Sequence, residues 1–204
     1  CVPLNDDGSF KEANVFGEKY SGRELYDVLE RYVRAGFFSE DDVERKQGRD
    51  LMWWLWLSPS SPLFAKSKMA TFELYLIAEK EARKEVKNAF YTLQHDPKAV
   101  ARIFEEFDMD PDTSHIICGH VPVKAKDGED PVKCGGKVLT IDGGFSKAYQ
   151  PTTGIAGYTL ISNSYGFVLA AHEPLESAKF AVDNESDIHS SRRVVETVEE
   201  RTLV

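Results

Sequence analysis

The hydrophobic pattern of this chain changes its period near Pro111. Between Ser21 and Phe107, apolar residues recur every three or four positions, which is typical of amphipathic helices. After Pro111, the apolar residues form short runs bounded by turn-forming residues, which is typical of strands. Helices followed by strands predict a mixed α/β architecture, in which a helical insertion precedes the second half of a sheet.

Two helices are predicted at the start of the helical stretch. Ser21 and Glu24 have the spacing of a capping box and open the first helix, and Ser39 with Asp42 opens the second. The second helix runs into the aromatic block at residues 51–57 and stops at the proline-containing loop that follows. The first helix is expected to bury the stripe formed by Leu25, Val28, Leu29 and Tyr32.

Two further helices complete the helical stretch. A longer helix is predicted from about Ala70, and Asp96-Pro97 caps the last one. The buried face of that last helix is expected to comprise Val100, Ile103, Phe104 and Phe107.

Strand predictions fill the second part of the chain, at residues 116–117, 138–141, 156–162 and 167–171. Asn163-Ser-Tyr-Gly166 between the last two is a hairpin signal. The chain is therefore expected to form a single unit over residues 1–204. Within it, residues 1–20 form an extended lead-in, residues 21–110 are mainly helical and residues 111–204 are mainly strands.

The charge balance limits the partners of the chain. It has 34 acidic and 25 basic residues and a net charge of −9, which argues against nucleic acid and against anionic membranes. Small anionic substrates remain compatible, because local lysines can outweigh the overall charge. No apolar run approaches the roughly 20 residues of a membrane span. The three cysteines are few and irregularly spaced, so a reducing, cytoplasmic location is predicted.

Candidate site residues lie where two predicted strands end. His120 follows the first strand and a glycine, and its ring could bind one metal ion, although a hydrogen-bonded loop histidine is the commoner use of such a residue. Asp142 follows the second strand and could hold or orient a metal ligand, although Asp-Gly is more often a tight turn. His115 and Cys118 are interpreted as a structural residue and a core residue of the first strand, which is expected to be buried.

Lysines and tryptophans give weaker signals. Lys66, Lys68, Lys124 and Lys147 are candidates for binding phosphate, although a single lysine is usually solvated surface. Trp53, Trp54 and Trp56 could stack on a ring-shaped substrate, but packing in the core is the favoured interpretation.

Several long strings of the chain resemble one enzyme family. GHVPVK at residues 119–124, VLTIDGGFSKAYQPTTGIAGYTLISNSYGF at residues 138–167, SPSSPLFAKSKMATFE at residues 58–73 and the opening CVPLNDDGSF are similar to the C-terminal part of firmicute-type (class III) fructose-1,6-bisphosphatases. These enzymes belong to the calcineurin-like metallophosphoesterases. The resemblance implies the C-terminal half of a metallophosphoesterase-type α/β sandwich with a helical insertion.

The same resemblance implies a function and a cofactor. Fructose 1,6-bisphosphate, a phosphorylated sugar, would be hydrolysed to fructose 6-phosphate in gluconeogenesis, at a centre of two divalent cations, Mn²⁺ or Mg²⁺. His120 matches the last metal-binding histidine of the family, Asp142 would support the floor of the site, and the four lysines would be candidates for holding substrate phosphates. The chain opens on Cys1 without an initiator methionine. A missing N-terminal half is therefore expected to carry the other ligands, and the chain alone is expected to be inactive.

Two alternatives stay open. The complete protein could be a related metallophosphoesterase that acts on a phosphoprotein or a dinucleoside polyphosphate. The chain could instead be a non-catalytic regulatory or assembly module, because residues 21–107 are extensive enough to bind an effector or another subunit. A homo-oligomer is compatible with either alternative.

Overall fold

The computed structural model describes residues 2–58, 61–62, 65–68, 70, 72–119, 121–142, 150–155, 157–173, 177–185 and 190–197. The chain divides into two compact units, Cys1–Pro111 and Asp112–Val204. The division coincides with the predicted change of period. That residues 1–204 form a single domain stays a prediction, and each unit is described by itself.

The first unit begins with a small hairpin and continues with helices. Its strands are β1 (Ala13–Val15) and β2 (Glu18–Tyr20), which pair in antiparallel orientation. Its helices are α1 (Gly22–Phe38), α2 (Asp42–Leu57), α3 (Glu73–Leu76), α4 (Lys80–Arg83), α5 (Phe90–Leu93) and α6 (Pro97–Glu106).

The helices α1 and α2 pack against each other and against the β1–β2 hairpin. The buried cluster between them consists of Ala13, Val15, Leu25, Val28, Leu29 and Leu51, with Tyr32 and Trp54 packed against it. The predicted apolar stripe of α1 is therefore confirmed.

The starts of α1 and α2 differ from the predicted caps. Ser21 precedes α1 but makes no capping hydrogen bond through its side chain. The Glu106 carboxylate accepts the Arg23 N–H at 2.9 Å instead, so a distant helix supplies this contact. The α2 helix is capped by Asp41, not by Ser39, because the Ser39 N–H still donates to α1.

The predicted long helix from Ala70 is wrong. Residues 72–93 form three short helices, and the segment between the second and third of them pairs with the extended segment that precedes Ala70. The Ser67 N–H donates to the Val86 carbonyl at 2.7 Å, and the Asn88 N–H donates to the Ala65 carbonyl at 2.9 Å. These non-local bonds use backbone groups that a continuous helix would need.

The last helix of the first unit agrees with the prediction. The Asp96 side chain accepts the Lys98 N–H at 3.0 Å, and Pro97 occupies the first turn. Of the predicted face, Val100, Ile103 and Phe104 are buried, and Phe107 is half-buried at the helix end.

The second unit contains two sheets. The first has the order β3–β5–β4, with β3 (Ile116–Cys118) parallel to β5 (Val138–Thr140) and β4 (Val132–Lys133) antiparallel to it. The second has the order β6–β7–β8, formed by β6 (Gly157–Asn163), β7 (Gly166–His172) and β8 (Ser190–Thr197) in antiparallel pairing. Two short α-helices, α7 (Gln150–Thr153) and α8 (Ala178–Asp183), and two 3-10 helices, Ala125–Asp127 and Cys134–Gly136, complete the described elements of this unit.

The strand predictions hold, with one correction. The hairpin turn is confirmed, because Asn163 pairs with Gly166 and its side chain accepts the Tyr165 N–H at 2.8 Å. The expectation that β3 is a buried strand is wrong in part: Ile117 is 52% exposed. Among the described strands, β3 pairs only with β5, so its other edge has no strand partner there. The architecture is a mixed α/β fold with helices and several sheets, as predicted.

The prediction that all three tryptophans pack in the core is also wrong in part. Trp54 packs against the α1–α2 cluster, whereas Trp53 and Trp56 are 66% and 79% exposed. Successive residues of a helix point about 100° apart. Leu51 and Trp54 therefore lie on the face of α2 that packs on α1, and the other two tryptophans lie on the opposite side. No described helix combines the length and the apolar composition needed to cross a membrane.

Candidate functional site

The candidate site lies at the carboxyl ends of β3 and β5. Because these strands are parallel neighbours, the segments that follow them leave the sheet at the same edge. The Ile141 N–H donates to the Cys118 carbonyl at 2.8 Å, and the Val123 N–H donates to the Asp142 carbonyl at 2.7 Å. The structure therefore brings the backbone beside Lys124 next to Asp142.

Two of the predicted site residues, His120 and Lys147, lie outside the described residues. Their assignment to metal and to substrate phosphate stays a prediction. The residues on both sides of His120 are described, and the Val121 N–H donates to the Gly119 carbonyl at 2.8 Å. Val123, three residues further on, is fully buried and anchors the segment in the core of the second unit.

Lys124 and Asp142 differ in exposure. Lys124 is exposed, and Asp142 is half-buried. The Lys124 N–H donates to the Glu129 carboxylate at 3.0 Å, and its carbonyl accepts the N–H groups of Asp127 at 2.9 Å and Glu129 at 3.2 Å. The backbone of Lys124 is thus closed into a short loop, while its side chain faces solvent.

Sequence reasoning missed Lys133, which is 5% exposed. Its ammonium group donates to the Glu129 carboxylate at 3.0 Å and to the Thr140 hydroxyl at 3.2 Å. The one local signal is the Glu129–Lys133 spacing of four residues, which also occurs on ordinary helix surfaces. A lysine in a two-residue strand gives no sequence sign of burial.

Lys66 and Lys68 lie in the first unit and already have partners there. The Lys66 ammonium pairs with the Glu85 carboxylate at 2.5 Å, and the Lys68 ammonium donates to the Ala82 carbonyl at 2.5 Å. The hydrogen bond from Lys66 and one from the Ala70 N–H lower the pKa of Glu85. Both lysines therefore hold the 65–88 region together, and a bound phosphate would have to share or replace these contacts.

A shallow groove of the second unit has a volume of about 200 Å³ and is lined by Val132, Gly135, Gly136, Arg193, Val194 and Val195. Arg193 is paired with Asp130 at 3.0 Å, so its charge is already engaged. Of the predicted site residues that the structure describes, none lines the groove.

The described residues do not form a metal site by themselves. No group of three or more His, Cys, Asp or Glu side chains that could hold a metal ion occurs among them. Burial raises the pKa of the Cys118 thiol, which disfavours the thiolate that metals bind. Cys118 is predicted to lie in the core and is half-buried. The His115 ring packs edge-on against Phe167 with centroids 4.7 Å apart, and its interpretation as a structural residue stays a prediction.

Comparison with known proteins gives one consistent result. The family model described as firmicute fructose-1,6-bisphosphatase matches residues 1–204. A protein named fructose-1,6-bisphosphatase class 3 from Clostridioides difficile (strain 630) is 55% identical over 100% of the chain and 31% of its own length. A protein of the same name from Clostridium tetani (strain Massachusetts / E88) is 53% identical over 96% of the chain and 30% of its own length.

The chain therefore spans 31% of the length of the first of these relatives and 30% of the second. A third protein of that name, from Clostridium botulinum (strain Kyoto / Type A2), is 52% identical over 100% of the chain and 31% of its own length. No solved structure matches the chain.

Proposed function

Because this chain belongs to the firmicute fructose-1,6-bisphosphatase family, we propose that the complete protein hydrolyses fructose 1,6-bisphosphate to fructose 6-phosphate and phosphate. The observation that carries the proposal is the match of the family model over residues 1–204. Relatives that are 52–55% identical bear the name of that activity. The activity is a proposal for the complete protein, since the chain corresponds to 31% of such a relative.

The proposed cofactor is a pair of divalent cations, Mn²⁺ or Mg²⁺, with His120 as the ligand supplied by this chain. Such cations lower the pKa of a bound water and neutralise charge on phosphate oxygens. The described residues provide no cluster of ligands, so the other ligands are proposed to come from outside these 204 residues. The 204-residue chain is accordingly proposed to be inactive alone.

The residues of this chain would position the substrate. The hydrogen bond between the Val123 N–H and the Asp142 carbonyl holds the two site segments together at 2.7 Å. Lys124, exposed beside this edge, is the described lysine best placed to contact a substrate phosphate, since an exposed ammonium pays little desolvation. Lys66, Lys68 and Lys147 are further proposed phosphate contacts, with Asp142 supporting the floor of the site.

We further propose that the second unit is part of a metallophosphoesterase-type sandwich. Its parallel β3–β5 pair is compatible with such a sandwich. Ile117 on β3 is 52% exposed, and the rest of the complete protein is proposed to cover this strand. A cytoplasmic location is proposed from the cysteine pattern.

Phosphate release from fructose 1,6-bisphosphate, measured with added Mn²⁺, tests the proposal. The complete protein should turn over, and the 204-residue chain should not. His120→Ala in the complete protein should lose bound metal and activity together, whereas His95→Ala, a change at an exposed histidine of the first unit, should lose neither. Turnover by the 204-residue chain, or an active and metal-replete His120→Ala protein, would contradict the assignment. A panel of phosphoproteins and dinucleoside polyphosphates would reveal a different substrate.

A further inference from the structure

Lys133 is a charged residue in the core of the second unit. Its side chain is 4% exposed, and its ammonium group has two described partners, Glu129 and Thr140. A buried ammonium group costs several kcal/mol of desolvation, and a buried ion pair often returns no more than that cost. Stability alone therefore gives a poor reason for a lysine in this place.

Glu129 connects Lys133 to a predicted site residue. One oxygen of its carboxylate accepts from the Lys133 ammonium at 3.0 Å, and the other accepts the Lys124 N–H at 3.0 Å. The Glu129 N–H donates back to the Lys124 carbonyl at 3.2 Å. Both polar groups of the Lys124 backbone are therefore bonded to Glu129, and the Glu129 carboxylate is in turn bonded to the Lys133 ammonium.

Thr140 connects Lys133 to the other site segment. Its hydroxyl accepts from the ammonium at 3.2 Å, and its N–H donates to the Pro131 carbonyl at 2.8 Å. Thr140 lies two residues before Asp142 at the end of β5. The ammonium thus contacts β5 directly through Thr140, and reaches the Lys124 backbone through Glu129.

We propose that Lys133 is a positioning residue that, through Glu129, fixes the backbone of Lys124 beside Asp142 and so aims the Lys124 ammonium at a substrate phosphate. The inference rests on the proposed function, because it takes Lys124 to contact the bisphosphate. Lys133 itself does not touch the substrate. Its effect is expected in substrate affinity more than in the chemical step.

The first test is kinetic and uses the complete protein with fructose 1,6-bisphosphate. Lys133→Met should raise KM about tenfold and change kcat less than about threefold, as Lys124→Ala should, because a lost charge-assisted phosphate contact is worth about that factor. The double variant should be no worse than Lys124→Ala alone, because both changes remove one contact. Arg193→Gln removes the exposed pair with Asp130 in the same unit and should leave KM unchanged.

The second test measures position directly. Hydrogen exchange at the Lys124 amide should be faster in Lys133→Met and in Glu129→Ala than in the wild type, and unchanged in Arg193→Gln. Glu129→Gln keeps an oxygen that can accept the Lys124 N–H. Compared with Glu129→Ala, it should therefore exchange the Lys124 amide more slowly and have a KM closer to that of the wild type. This variant also provides the test if Lys133→Met does not fold.

The outcomes separate this inference from the proposed function. Additive KM effects of Lys124→Ala and Lys133→Met, or unchanged exchange at Lys124, would overturn the positioning role even if the enzyme hydrolyses the bisphosphate. The complete protein could instead lack bisphosphatase activity while Lys133→Met still speeds hydrogen exchange at the Lys124 amide. That result would refute the proposed substrate and leave the positioning role intact.

Discussion

Gly36 and Gly48 allow α1 and α2 to approach closely. A Cβ atom built on Gly48 would lie 2.3 Å from the Tyr32 carbonyl oxygen and 2.4 Å from the Gly36 nitrogen. Both contacts are with backbone of the facing helix, which cannot rotate away as a side chain can. The helix-to-helix distance at this crossing therefore depends on the absence of a side chain.

Gly48→Ala should destabilise the protein. Alanine favours a helix by about 1 kcal/mol over glycine, but overpacking against rigid backbone costs about 1–3 kcal/mol or more, and two contacts below 2.5 Å place this site at the high end. We expect a net loss of about 2 kcal/mol in the free energy of unfolding, measured by urea denaturation. Gln47→Ala, at the exposed neighbouring position of α2, is the matched control and should be neutral; equal stabilities would contradict the close crossing.

Tyr26 makes a second prediction at the residue scale. Burial raises the pKa of its phenol to about 12, from an ordinary value of 10.0, and its ring packs edge-on against Phe107. The folded state binds the phenolic proton more tightly than the unfolded state, so this contribution to stability is complete below pH 10 and is lost as the pH rises toward 12. The difference in tyrosinate absorbance between the wild type and Tyr26→Phe reports on Tyr26 alone. It should titrate near pH 12 in the folded protein and near pH 10 in urea.

At the scale of elements, the sequence predicts those helix boundaries and buried faces that are set by residues close together in the chain. The α6 helix follows from Asp96, Pro97 and a local apolar stripe, and the structure agrees. The helical periodicity of residues 21–107 predicts one longer helix from about Ala70, but Glu85 accepts the Ala70 N–H and pairs with Lys66. Such bonds between distant residues leave no periodic trace in the sequence.

The candidate site shows the same limit. The strand-end positions of Lys124 and Asp142 follow from the order of apolar runs and turns, and their neighbouring backbones are indeed hydrogen-bonded. The buried Lys133 could not be predicted, because its burial results from the packing of β4 on β5 and not from its own segment. The β8 strand (Ser190–Thr197) is not among the predicted strands, although it lies in the part of the chain expected to be mainly strands.

The start of α1 provides a test between a local and a distant cap. The sequence predicts Ser21 as the cap, whereas the structure places the Glu106 carboxylate on the Arg23 N–H. Glu106→Ala should therefore cost about 1 kcal/mol of stability, a usual value for loss of a capping contact, and Ser21→Ala should cost less than about 0.5 kcal/mol. Thermal unfolding of the two variants side by side measures both, and the reverse ranking would favour the local cap.

At the scale of the whole molecule, the first unit has its own core and its own long-range bonds. The Asn88 side chain binds both the N–H and the carbonyl of Leu4 at 3.1 Å, and Arg102 donates to the Gly8 carbonyl at 2.8 Å. These contacts tie the lead-in to the end of the helical region. The cluster around Leu25 and Leu51 lies entirely within the same unit.

A polypeptide of residues 1–111 should therefore fold by itself. Loss of the second unit removes none of the residues of the α1–α2 cluster, and a unit of this length can bury an adequate core. Circular dichroism should show helix and a cooperative thermal transition. Leu25→Ala, which empties a fully buried position, should lower the stability by about 2–5 kcal/mol and abolish or strongly shift that transition, whereas Leu74→Ala, at an exposed apolar position, should not. A disordered 1–111 polypeptide would show that the helical unit needs the strand-rich unit to fold.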